Sequence, residues 1–248
     1  MIAIRNPGRA AGAWYLLLIL LGPLRLIYIP RTLFVDGDAA ATIANIAAHQ
    51  RLFRLGILAD VAGGVLLVLV VMAFFRLFRE VDAPLAWLVV IFGGVMPAVL
   101  FFVSTVSDFG LVLAAQRAPF LSAFSPAQQD ALAMLGLALR DGLTTAAEFL
   151  WGVWLFPLAA LIERSRVVPR ILGLWLALNG LAYVLISVVG ILAPQHQEGV
   201  FRLTGPARYG ELALVLWLLV RGSRTPVSRS GEGPGGNKVS GAPASPRC

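Results

Sequence analysis

Cysteine is almost missing from this chain. Its single occurrence, Cys248, leaves no internal disulfide framework and no thiolate metal cluster. Lysine also occurs once, at Lys238, so 19 of the 20 basic residues are arginine. Heavy use of Ala, Arg and Gly beside one lysine fits a GC-rich bacterial genome. Histidine appears only as His49 and His196, both outside the apolar runs. A membrane cytochrome would place histidines within its spans, and metal or haem is not indicated, so no cofactor is expected. No H-E-x-x-H, Walker or G-x-S-x-G element is present. Charge is scarce as well: 13% of the 248 residues, against about 25% in soluble domains.

What fills the chain instead is hydrophobic. Apolar residues make up 58%, and mean hydropathy is +0.82. A water-soluble core cannot absorb that excess, so the bilayer must be the solvent. Six apolar segments, near 11–29, 55–78, 83–105, 143–162, 168–193 and 203–220, each approach the ~20 residues that cross ~30 Å of hydrocarbon as a helix. The expected fold is therefore all-α: a polytopic membrane protein of six transmembrane helices with short extracytoplasmic helices. The first segment is long for a secretory signal, contains Pro23 and Arg25, and lacks a small-residue cleavage site, so it reads as a retained helix. Trp14, Tyr15 and Tyr28 near its ends suit interfacial anchoring.

With a cytoplasmic N-terminus, twelve basic residues fall inside and seven outside, which favours both termini in the cytoplasm of a bacterial inner membrane. The net charge of +7 is spread over span ends and forms no single patch, so nucleic acid is not an expected partner. Asp38 can cap a helix through Ala39–Arg54. Ser125, Pro126 and Gln128 form a capping-box signature for a helix that runs toward Arg140 and bends near Gly142. Short links at Glu80–Asp82 and Glu163–Val167 make spans two and three, and spans four and five, antiparallel neighbours. Residues 1–221 form the transmembrane domain. Residues 222–248, rich in Gly, Ser, Pro and Arg, read as a disordered cytoplasmic tail. The G-x-G-x-x-G spacing of Gly231, Gly233 and Gly236 there has no strand before it and no helix after it, so it is a chance match.

The informative residues are acids inside lipid-compatible runs: Asp60, Glu148 and Glu211. A carboxylate at that depth costs at least a few kcal/mol, so it pairs, faces a protein interior, or marks a ligand path. Topology places Arg54, Asp60, Asp108, Glu148, Arg208 and Glu211 toward one end of the bundle. Asp60 shares a helical face with Gly63 and Gly64, and Glu148 with Gly152, so both should point at neighbouring helices. Arg208 and Glu211, three residues apart, can meet on one helix. Asn179 shares a face with Trp175 and Tyr183. Trp151, Trp154, Trp175 and Trp217 read as packing and interface residues. Arg54, Asp60, Glu148, Asn179, Arg208 and Glu211 form the candidate ligand-binding set. The expected role is binding or translocation of a small molecule or lipid through an outward-facing polar pocket. One alternative is a structural subunit that meets a membrane-protein partner or a second copy through its lipid-facing surface. Another is an intramembrane enzyme acting on a lipid or quinone, although no catalytic residue can be assigned.

Three stretches carry a family resemblance: Asp38–Asp60 (DAAATIANIAAHQRLFRLGILAD), Glu148–Val184, and Gly210–Gly222 (GELALVLWLLVRG). They resemble the bacterial domain-of-unknown-function family 4386, over roughly residues 9–222. The short link with Ser165, Pro169 and Gly173 is the most specific element, and Ala159 stands where glycine is expected. The resemblance implies a multi-pass membrane protein without an established activity. The family's recurring features would fall on Asp38, Arg54, Glu148, Pro169, Gly173 and Glu211.

Overall fold

A computed structural model describes residues 6–165 and 167–222. The expected tail lies outside the described residues, apart from Gly222. Among those residues every regular element is helical. Five helices are long and apolar enough to cross a membrane. They are α1 (Pro7–Leu33), α3 (Gln50–Phe78), α4 (Ala83–Ala115), α5 (Pro126–Ser165) and α6 (Arg170–Leu192). A short helix, α2 (Ala39–Ala48), lies between α1 and α3, and α7 (Gln197–Leu203), α8 (Gly205–Arg208) and α9 (Gly210–Arg221) follow α6. The outward surface is apolar, with Leu20, Leu58, Val106 and Leu178 more than half exposed. In water that surface would be untenable; against acyl chains it is neutral.

Asp38 caps α2 by accepting from the Ala41 amide at 2.9 Å. The helix does not run on to Arg54 as expected. It ends at Ala48, where His49 leaves helical geometry, and α3 starts afresh at Gln50. At Ser125 both bonds of the capping box form. The helix after it stays continuous through Gly142, contrary to expectation. Its interruption comes at Trp154, three residues before Pro157, whose missing N–H breaks the bonding pattern there. Two further irregularities are π-helical turns, at Leu24–Tyr28 in α1 and at Ile91–Val95 in α4.

The sixth apolar run forms no single long helix. α9 has twelve residues, about 18 Å at 1.5 Å per residue. The chain before it breaks at Thr204 and Tyr209, around Gly205 and Pro206. Broken backbone within a bundle is tolerated where side chains satisfy the freed carbonyls. Here the Arg208 guanidinium donates to the Phe201 carbonyl at 3.0 Å, and the Trp175 indole to that of Pro206 at 3.3 Å.

The helices close around two apolar cores. One gathers Tyr15, Phe74, Phe78, Trp154, Leu158 and Leu218. The other gathers Ile29, Ile46, Phe53, Leu111 and Leu137. The stretches of α1 and α3 that run between these cores carry Arg25 and Asp60. At one end of the bundle the two short links meet: Asp82 caps α4 through the Leu85 amide at 3.1 Å and pairs with Arg164. Small residues set the closest approaches. A Cβ on Gly173 would lie 3.2 Å from the Ala159 carbonyl oxygen, and one on Gly152 would lie 2.5 Å from that of Gly180.

Because the Gly180 carbonyl and the Val184 backbone and side chain all crowd Gly152, Gly152→Val should cost about 1–3 kcal/mol by overpacking and lower Tm in detergent. Gly110→Ala, with nothing within 4 Å of an added Cβ, should leave Tm unchanged.

Candidate functional site

The charge inside the bundle is organised around Arg25. This residue sits in the π-helical turn of α1 and is only 7% exposed. Its Nε bonds Asp60 of α3, and its Nη2 donates to Asp108 Oδ2 of α4 at 2.9 Å. Asp108 Oδ1 lies 3.2 Å from Arg140 Nε of α5. That last contact is electrostatic, since neither atom has hydrogen-bond geometry to a partner. Arg140 also lies over the Phe34 ring at 4.9 Å. Two arginines and two aspartates, all buried, thus join four membrane-spanning helices with matched charge, and the exposed Asp141 lies 3.6 Å from Arg140 Nη1 at the edge. Each ion costs several kcal/mol to desolvate, so removing one partner strands the others.

A second polar group centres on Glu211. This residue, near the start of α9, accepts from the Tyr15 hydroxyl of α1 and from Asn179 Nδ2 of α6, the latter at 3.0 Å. Asn179 is fully buried, and its Oδ1 has no partner. Among the described residues no basic side chain forms an ion pair with Glu211. Its partners are therefore neutral donors, unlike those of Asp60 and Asp108.

A cavity of about 160 Å³ connects the two groups. Arg25 and Asp60 line it on one side, Tyr15 and Glu211 on the other. Its remaining wall is apolar: the aromatic Phe101, Trp151, Trp154 and Tyr183, five leucine and isoleucine side chains of α1 and α3, and the small Gly22, Ala59 and Gly63. The rings brace one another. Tyr15 meets Trp154 edge-on at 5.8 Å, and Trp151 meets Tyr183 at 6.1 Å and 77°. Trp151 and Trp154 therefore do more than pack against lipid or core.

The expected set is only partly gathered. Asp60 and Glu211 line the cavity, and Asn179 stands behind Glu211. Glu148 lies apart, 3.4 Å from Gln197 Nε2 of α7. Arg208 does not pair with Glu211. It caps the broken chain and lies over Phe201 at 3.5 Å. Arg54 is exposed and takes no part in the quartet. Sequence reasoning missed Arg25, Arg140 and Tyr15. Arg25 carried a signal, since a lone arginine in an apolar run needs a buried acid. Arg140 read as a loop residue because α5 was expected to bend after it. Tyr15 read as an interface anchor, but is 2% exposed and bonded inside.

Apolar helices around a buried ionic core define a multi-helix membrane protein. The chain belongs to the family Domain of unknown function (DUF4386), whose pattern matches residues 10–222. No curated protein and no solved structure matches it.

Arg25→Leu should destabilise the fold by about 3–5 kcal/mol, because it leaves two buried aspartates short of a cation. Arg54→Ala, at an exposed position, should stay within about 0.5 kcal/mol. Thermal unfolding in detergent compares the two.

Proposed function

We propose that this is a bacterial inner-membrane protein that binds a small ligand in the cavity between α1, α3, α4, α5, α6 and α9. The observation that carries this reading is the pairing of an open interior space with Glu211, a carboxylate that has only neutral hydrogen-bond partners and looks into that space. Pockets of this kind, mostly apolar with a few converging polar groups, are the usual form of ligand sites. The quartet of Arg25, Asp60, Asp108 and Arg140 holds the walls. Its charges are already matched, so it contributes position more than affinity.

On this reading the broken segment α7–α9 makes the sixth pass, with both termini in the cytoplasm. Its interruptions leave carbonyls that Arg208 and Trp175 answer, a feature also seen in transporters built from discontinuous helices. α2 and the start of α5 then lie on the extracytoplasmic side. Translocation, as distinct from binding, would use the same cavity.

The closed quartet favours a second reading, that of an accessory subunit. Tightly paired buried charges are what a purely structural bundle would contain, and a partner protein or a second copy would dock on the lipid-facing surface.

Native mass spectrometry of the purified protein separates the two. The wild type should carry a bound small molecule, and Glu211→Gln and the cavity-filling Gly63→Phe should both lose it. A wild type free of any adduct, or variants that keep the adduct, would leave the accessory reading standing.

A further inference from the structure

The cavity's charge and walls specify a ligand class, an inference that rests on the ligand-site reading above. Of the ionisable side chains that line the space, Arg25 and Asp60 belong to a buried quartet of two arginines and two aspartates that sums to zero; Asp141, beside Arg140, is exposed and does not line the space. Glu148 and Arg208, one of each sign, do not line it. Glu211 is left as a single negative charge without a counter-ion. Partly buried against the cavity, such a group is stabilised by a proton or a cation beside it. Its hydrogen-bond partners, the Tyr15 hydroxyl and the Asn179 amide, are donors of the kind that suit a carboxylate.

The walls discriminate between cations. A metal ion would need several oxygen ligands, and among the described residues no group of three or more acidic, histidine or cysteine side chains could hold one. The lining instead offers five aromatic rings: Tyr15, Phe101, Trp151, Trp154 and Tyr183. Aromatic faces attract cations that are only weakly hydrated, and rings arranged around a carboxylate are how quaternary and substituted ammonium groups are recognised. Size agrees. A cavity of about 150 Å³ accommodates benzene, so about 160 Å³ admits a molecule of roughly six to eight non-hydrogen atoms.

We infer that the cavity takes a small organic monocation, a quaternary or protonated amine, with its charge on Glu211 and its alkyl groups against Trp151, Trp154 and Tyr183. Asp60 supplies a second acceptor edge for an N–H or O–H group. Gly63 keeps the wall open, since a Cβ there would already touch Phe101 at 3.4 Å.

The test uses choline and its uncharged carbon isostere, 3,3-dimethylbutan-1-ol, on the full chain in detergent, with sodium chloride matching ionic strength. Choline should raise Tm by roughly 2 °C or more at millimolar concentration. The alcohol and sodium chloride should not. Glu211→Gln should abolish the shift. Glu211→Asp, which keeps the charge, should retain part of it and guards against a Gln variant that fails to fold. Equal shifts from choline and the alcohol, both lost in Gly63→Phe, would overturn the cation class while the cavity remains a ligand site. An equal shift from sodium chloride would overturn it in favour of an inorganic ion. No shift from any probe would overturn it too, and the adduct measurement above then decides separately whether the cavity binds anything.

Discussion

Everything in this bundle is arranged around the cost of holding ions away from water. Arg25 answers that cost by touching two aspartates at once, and Asp108 by touching two arginines. The result is a chain of alternating charge that crosses α1, α3, α4 and α5. Apolar contacts between helices add little preference for one arrangement over another when lipid is equally apolar. The ionic chain does discriminate, because a rotation or slip of any one helix would leave a charge unmatched in a low-dielectric setting. The two apolar cores, on either side of it, then pack around a register already set.

A space adjoins this ionic chain, with Arg25 and Asp60 in its wall. Four side chains that must meet at fixed geometry hold their helices at a separation set by guanidinium and carboxylate lengths. Small residues on α1 and α3, Gly22, Ala59 and Gly63, do not fill the space. Aromatic rings border it and brace each other edge to face. The cavity beside the quartet carries a different chemistry on its far wall, where Glu211 has no arginine to answer it.

How far the sequence discloses this is uneven, and the reasons are physical. The all-helical, membrane-embedded class follows from hydropathy, which the chain displays in long uninterrupted runs. Local signals also hold where they depend only on neighbouring residues, as at Asp38 and Ser125. Burial of Asp60, and the partial burial of Glu211, follow from the depth of each in its run. Partner choice does not, because it depends on which helices touch. Glu211 looks paired with Arg208 when only one helix is considered, yet its donors come from α1 and α6. Arg208 is occupied by the break at Thr204, a break that Gly205 and Pro206 mark in the sequence but that hydropathy smooths over. Arg140 was hidden by the same limit: its place beside Asp108 appears only once α5 is known to continue straight past Gly142.

The bond between Tyr15 and Glu211 joins residues 196 positions apart, and Arg9 likewise donates to the Val220 carbonyl at 3.2 Å. The first of the described helices is therefore sealed by the last of them. A chain delivered N-terminus first must keep α1 waiting in the bilayer, its phenol unpaired and one flank uncovered, until the ribosome releases α9. Assembly thus closes on a latch: α1 completes its hydrogen bonds only when α9 reaches it.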